Sequence, residues 1–153
     1  MIQDIFIAAE PQAKQQNVDQ IEVIAQKGIV GDRNFDQHRW HGQNITLVES
    51  ENIEAFNQQY GKTIDYQDTR RNIITRGIKL NQLIGKSFYI GTVKLIGTEL
   101  CEPCHMLCQS LSDDTLSQQQ VQRAFTEKAG IRATVLNSGF ITLNMSIDLD
   151  NVA

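Results

Sequence analysis

Three cysteines, Cys101, Cys104 and Cys108, fall within the eight residues CEPCHMLC, and the chain has no others. Cys101-x-x-Cys104-His105 spells a c-type haem attachment site. Cys101-x-x-Cys104 alone spells a redox dithiol, and adding Cys108 spells a metal or iron–sulfur site. Three cysteines are one short of the usual cluster set, and zinc bound by three cysteines and His105 would ask adjacent residues to chelate one ion. Pro103 suits the first turn of a short helix, which sets Cys104 near a helix N-terminus. Backbone N–H groups and the helix dipole there favour thiolate, so Cys104 is the candidate nucleophile or soft-metal ligand. Cys108 follows by four on the same helical face, beside Leu111, and also reads as a small buried core residue. Cys101 either supports Cys104 or ends the strand before it.

Three further clusters carry candidate chemistry. In KGIVGDRNF (27–35) Gly28 and Gly31 permit a tight turn and close backbone approach to a ligand. Arg33 offers a planar fork for phosphate or carboxylate, with Asp32 placed to orient it. A solvated β-turn is the plainer reading. In DTRRNIITRG (68–77) Arg70 and Arg71 precede an apolar strand, so alternation sends one of them inward, where it needs an anionic partner. Asn72 pairs a donor with an acceptor, as the edge of a heterocycle requires. The alternative is a charged strand entry with Arg71 and Arg76 in water. His38 and His41, around Trp40, have a spacing that two zinc-binding imidazoles could use. With only Asp36 nearby as a carboxylate, a polar, mobile loop able to act as a lid is the better reading.

The elements that must position these residues are short. At 153 residues the chain is read as one domain, 1–153, able to bury a core without staples. Its net charge of −4 argues against nucleic-acid binding. The N-terminus lacks the form of a signal peptide and no run has the length of a membrane span, so the chain reads as soluble, cytoplasmic and not membrane-bound. Cysteines stay reduced in that compartment, and haem attachment, which takes place after export, is disfavoured.

Alternation predicts strands over IQDIFIA, QIEVIA (20–25), NITLVE (44–49) and RNIIT (71–75). It also predicts a hairpin with strands near 86–90 and 93–99, turning at Gly91-Thr92. IRATVLNSGFITLNMSI predicts a closing hairpin about Asn137-Ser138-Gly139. One helix is expected near 50–60, with Ser50 as cap and Gly61 as stop. A second is expected near 115–129, with Leu116, Val121, Ala124 and Phe125 inward and Gly130 as stop. Many short strands with few helices predict a mainly β fold: a closed, mostly antiparallel barrel with a few peripheral helices. The βαβ alternation of a thioredoxin-like redox protein is absent.

In order, GIVGDR, ITLVE, RRNIITRGIKLNQLIGKSFYIG, VKLIGTELCEPCHML and AGIRATVLNSGFI resemble the MOSC domain, the module named for the C-terminal part of molybdenum cofactor sulfurase. The resemblance spans roughly residues 20 to 142. It implies a barrel related to that of pyruvate kinase and a pocket for molybdenum cofactor, with a family-level association with pyridoxal phosphate. In related amidoxime-reducing enzymes a barrel cysteine ligates molybdenum, and Cys104 matches it; a thiolate suits oxo–dithiolene molybdenum. The family's R-x-N matches Arg70 and Asn72, and its G-D-R matches Gly31, Asp32 and Arg33. Arg71, Thr75 and Cys101 complete the expected cofactor-binding set. The implied roles are sulfur carriage on Cys104 or reduction of N-hydroxylated small molecules. The partners would be a sulfur-donating desulfurase or an external electron donor, and neither haem nor an iron–sulfur cluster is expected. A non-catalytic module that binds or delivers the cofactor is the alternative. Asn34 stands where the family often has histidine, Gln43 replaces a common basic residue, and LNMSIDLDNVA lacks the usual Gly-Asp close.

Overall fold

The structure is a computed structural model that describes residues 1–37, 44–103 and 105–150, with residues 105 and 106 as backbone only. Eleven strands are present among them. β1 (Ile2–Ile7), β2 (Gln16–Val18), β3 (Gln20–Ile24), β4 (Gly28–Ile29) and β5 (Ile45–Glu49) precede helix α1 (Ser50–Tyr60). β6 (Ile73–Thr75), β7 (Ser87–Ile90) and β8 (Val93–Leu100) lead to α2 (His105–Leu111) and α3 (Gln118–Ala124). β9 (Ile131–Val135), β10 (Gly139–Thr142) and β11 (Ile147–Leu149) follow.

Eight strands form one strongly curled mixed sheet in the order β11-β7-β8-β9-β5-β6-β1-β2, and β10-β3-β4 form a second. Only β5 and β6 run parallel, with Leu47 opposite Ile73. The expected closure does not occur: β11 and β2 are edges, with no pairing between them among the described residues. Each is three residues long and largely exposed, a form that blunts sheet edges without closing them. The second sheet instead contributes Ile21, Val23, Ile29 and Ile141 to the core, where they join Ile5, Leu47, Phe88 and Leu95 of the first.

β5 is apolar on both faces for a structural reason. Ile45 and Leu47 enter this core, while Val48 enters a second cluster with Phe6, Ile53 and Ile74 under α1. A third cluster joins Phe56 to Leu107, Cys108, Leu111, Val121 and Phe125, with the Phe56 and Phe125 rings 4.8 Å apart.

The closing hairpin expected over residues 131–147 does not form. β9 pairs with β8 and β5, and β10 leaves for the second sheet, where Phe140 lies opposite Glu22. Asn137 and Ser138 make the crossing instead of a hairpin turn. The Asn137 carboxamide accepts from Lys94 N–H and donates to the Thr92 carbonyl, and the Ser138 hydroxyl accepts from Ala25 N–H.

The helix expected over 115–129 is shorter, because Ser117 and Gln120 make a reciprocal capping box that starts α3 late and Phe125 already ends it. Ser50 lies inside α1; Glu49 is the residue before it, and Gly61 stops the helix in the left-handed region as expected. No helix among the described residues is long and apolar enough to cross a membrane.

Candidate functional site

The approach to β6 is a strained point of the fold. A single 3-10 turn, Tyr66–Thr69, ends at Arg70, which takes the left-handed conformation with φ 60° and ψ 24°. That conformation costs a non-glycine residue about 1 kcal/mol and persists only where the surroundings over-determine it. Here they do. The Arg70 carbonyl accepts from Arg33 Nη2 at 3.0 Å. Arg70 Nη2 in turn donates to the carbonyls of Pro11 at 2.9 Å and Ala13 at 3.0 Å.

Arg33 is positioned by the turn before it. Gly31, at φ +87°, turns the chain so that the buried carboxylate of Asp32 accepts from Ala8 N–H at 3.0 Å and Asn34 N–H at 3.2 Å. The same carboxylate lies 3.5 Å from Arg33 Nη1, so Asp32 orients the guanidinium as expected while also tying two loops. Arg33 Nη1 donates to Gln15 Oε1 at 3.1 Å, and Gln15 Nε2 donates to the Arg71 carbonyl at 3.2 Å. The close approach expected at Gly28 is to the chain itself: a Cβ there would lie 2.6 Å from the Asn44 carbonyl oxygen.

Arg71 is the arginine that turns inward. Its partners are carbonyls and not the expected anion: Nε donates to Ala129 at 2.8 Å and Nη2 to Glu102 at 3.3 Å. This ties β6 to the Cys101-Glu102-Pro103 segment. Cys101 is buried there, with its N–H on the Gly130 carbonyl at 2.8 Å. Asp32, Arg33, Gln15, Arg70, Arg71 and Glu102 thus form one hydrogen-bonded chain ending two residues before Cys104. Cys104 itself lies outside the described residues, as do His38, Trp40, His41 and Gln43, so the expectations placed on them concern residues beyond this description.

Two expected site residues stand apart from this chain. Asn72 is fully buried, with its carboxamide engaged inside the protein: Oδ1 accepts from Thr46 N–H and Oγ1, both at 3.1 Å, and Nδ2 donates to the Phe6 carbonyl at 3.2 Å. Its donor–acceptor pair holds β5 and β1 to β6 and leaves no edge for a heterocycle. Thr75, at the far end of β6, is buried with its hydroxyl on the Val48 carbonyl. Cys108 faces the third cluster, as its spacing from Leu111 predicts.

Beside Arg70 opens a groove of about 250 Å³, lined by Lys14, Gln15, Gln67, Asp68, Arg70 and Ser110. Among the described residues, Arg70 Nε and Nη1 and the Lys14 ammonium have no hydrogen-bond partner. The Ser110 hydroxyl donates to the Leu107 carbonyl and keeps its acceptor lone pairs. Two cations with unused donors in one groove form a donor set for a phosphate-terminated ligand. Lys14, Gln15 and Ser110 were missed in the sequence, since none of them neighbours a conspicuous motif. A second groove, of about 280 Å³, is lined by Pro103, Cys108, Gln118, Gln119 and Gln122.

The chain belongs to the MOSC domain family, whose family model matches residues 34–148. Its fold is similar to that of the YuaD protein from Bacillus subtilis, with a TM-score of 0.83 at 17% identity over 97% of this chain and 93% of that one. It is also similar to YiiM from Geobacillus stearothermophilus (TM-score 0.74, 17% identity, 99% of this chain and 76% of that one). YiiM from Escherichia coli is a further match (TM-score 0.69, 15% identity, 100% and 71%). No curated protein matches the chain in sequence.

Proposed function

We propose that this protein binds molybdenum cofactor, with Cys104 as the sulfur ligand and the Arg70 groove as the seat of the cofactor's phosphate. The observation that carries this reading is the pair of unused cationic donors, on Arg70 and Lys14, in a groove whose Arg70 is rigidly held. The two cations of the groove outnumber its one carboxylate, Asp68, which accepts from the Asp65 N–H, so the groove suits a phosphate-bearing ligand, and the family is one associated with this cofactor. When bound, the cofactor supplies two-electron redox chemistry at molybdenum. The chain's own residues bind and orient: Arg70 and Lys14 neutralise the phosphate, Ser110 borders it, and Arg71 fixes the backbone that leads to Cys104. Electrons for turnover of a small N-hydroxylated substrate come from an external donor.

The test is to purify the protein from cells able to make the cofactor and measure molybdenum and pterin per chain. Near-stoichiometric molybdenum and pterin, lost in Cys104→Ser and Arg70→Ala, is the expected result. Reduction of an N-hydroxylated compound by the loaded protein with a reduced flavoprotein would establish the enzyme. Loaded protein without turnover would make it a carrier or delivery module. Protein without pterin, but with one added sulfur atom on Cys104 by mass spectrometry, would replace this reading with sulfur carriage.

A further inference from the structure

Arg33 and Arg70 look alike in the sequence, as two arginines each able to hold an anion, but their surroundings give them different work. Arg33 directs Nη1 to Gln15 Oε1 and Asp32 Oδ1 and Nη2 to the Arg70 carbonyl, so these donors of its fork end on the protein. Arg70 receives that contact on its backbone and lines the groove, with Nε and Nη1 making no hydrogen bond among the described residues. We propose that Gln15 and Arg33 are positioning residues that clamp Arg70 in its left-handed conformation, so that Arg33 acts on the ligand through Arg70 rather than by touching it. This rests on the phosphate-binding role of Arg70 given above.

The polarity of the contacts makes Gln15 specific. A guanidinium only donates and a peptide carbonyl only accepts, so a residue bridging Arg33 Nη1 and the Arg71 carbonyl must accept at one end and donate at the other. Glutamine does both, and Gln15 is buried with 6% of its surface exposed, where losing either contact is felt. The bridge locks the backbone on the far side of Arg70, while the Pro11 and Ala13 carbonyls lock its side chain. Released from Arg33, the Arg70 backbone has an alternative about 1 kcal/mol lower in intrinsic energy, and its guanidinium would leave the groove.

The experiment follows the Arg70 backbone directly by NMR, through its Cα shift and the couplings that report the sign of φ, in wild type, Gln15→Leu, Gln15→Glu and Arg33→Lys. Val121→Ala, a core change in α3 at a residue that neither lines the groove nor touches the Gln15 bridge, controls for loss of stability alone. Gln15→Leu and Arg33→Lys should move Arg70 out of the left-handed region. Gln15→Glu, which keeps an acceptor for Arg33 but loses the donor to the Arg71 carbonyl, should move it too, whereas Val121→Ala should leave it there. In protein purified from cofactor-producing cells, retained pterin should fall about tenfold in Gln15→Leu, the loss expected for one buried hydrogen bond to a charged group. Unchanged Arg70 resonances in both Gln15→Leu and Arg33→Lys, or an equal change in Val121→Ala, would overturn the clamp. Wild-type protein without pterin would overturn the cofactor reading and leave the NMR arm to decide the clamp by itself. A clamp seen by NMR with pterin retention unchanged in Gln15→Leu would overturn its link to the ligand.

Discussion

Arg71 Nη2 donates to the carbonyl of Glu102 at 3.3 Å, while Nε of the same guanidinium donates to Ala129 at 2.8 Å. One buried side chain thereby fixes the spacing between the strand entry at β6 and the segment that leads to Cys104. A lysine has no fork and serves both carbonyls poorly. Arg71→Lys should lose roughly 1.5–3 kcal/mol in urea unfolding, the range for a hydrogen bond to a charged group. An unchanged unfolding midpoint would mean that these carbonyls are satisfied without Arg71.

Asn72 and Thr46 exchange three contacts: the Asn72 N–H to Thr46 Oγ1 at 2.9 Å, and the Thr46 N–H and hydroxyl to Asn72 Oδ1. Asn72→Ala and Thr46→Val should each destabilise by about 1–3 kcal/mol, because each leaves polar atoms of the other, buried in Asn72 and part-buried in Thr46, unpaired. The double variant should cost less than their sum by at least about 0.5 kcal/mol. Strict additivity in the cycle would show that the two side chains are not energetically coupled.

Two glycines separate conformational from steric demand. At Gly130, with φ +98°, a Cβ would lie 2.0 Å from the Leu47 carbonyl oxygen, whereas at Gly61, with φ +63°, nothing lies within 4 Å. Gly61→Ala should cost about 1 kcal/mol, the left-handed penalty alone. Gly130→Ala should exceed it by several-fold and leave little folded protein on expression. Similar thermal midpoints for the two variants would contradict this ranking.

Two carboxylates give stability opposite dependences on pH. The Lys62 ammonium and the Thr115 hydroxyl and N–H bond Asp113 and hold its pKa well below the usual carboxylate range. Its contribution is present above the unfolded-state value near 3.9 and is lost as pH falls below it. Burial raises the pKa of Glu49, only partly offset by the N–H of Leu80 and the charge of Lys79. Its penalty therefore grows as pH rises from the unfolded-state value near 4.3 through the raised folded value. Asp113→Asn should lose stability at pH 7 and none at strongly acid pH, whereas Glu49→Gln should gain stability at pH 7 and nothing near pH 3. Parallel stability–pH curves for wild type and Glu49→Gln would show that Glu49 carries no penalty.

The cysteines can be ranked by alkylation. Cys108 is buried among Leu107, Leu111 and Val121 and should react with iodoacetamide slowly. Cys104, preceded by Pro103 and followed by α2, should react faster in the cofactor-free protein and be protected in the loaded one. Equal labelling with and without cofactor would remove Cys104 from the proposed site.

The parts of the fold legible in the sequence were those governed by local rules. Alternation and a glycine turn mark β7 and β8, and Gly61 marks the end of α1 because only a left-handed residue stops a helix that way. The paired arginines before β6 suggested that one turns inward, and Arg71 does, although the left-handed turn at Arg70, outside β6, separates the two side chains rather than strand alternation. The partners they found were not legible. Arg71 binds the carbonyls of Ala129 and Glu102, 58 and 31 residues away, and backbone carbonyls leave no trace in residue type. The crossing of β10 was hidden for the same reason: Asn137-Ser138-Gly139 spells a hairpin turn, and the contacts to Lys94, Thr92 and Ala25 that redirect it are distant in sequence. Gln15 was invisible because a lone glutamine announces nothing until both ends of its amide are engaged.

The place of β9 in the large sheet governs the order in which the molecule can be made. Within that sheet it alone joins β11-β7-β8 to β5-β6-β1-β2, although its residues, Ile131–Val135, are synthesised after every one of those strands but β11. A chain emerging from the ribosome holds two unconnected sheet fragments, each with a raw apolar edge, at β8 and at β5, until those five residues arrive. Assembly of the large sheet is therefore withheld until β9 has been made and waits on pairings far apart in sequence, which makes it slow. A nascent chain stalled before Ile131 would be a substrate for chaperones, not a partly working protein.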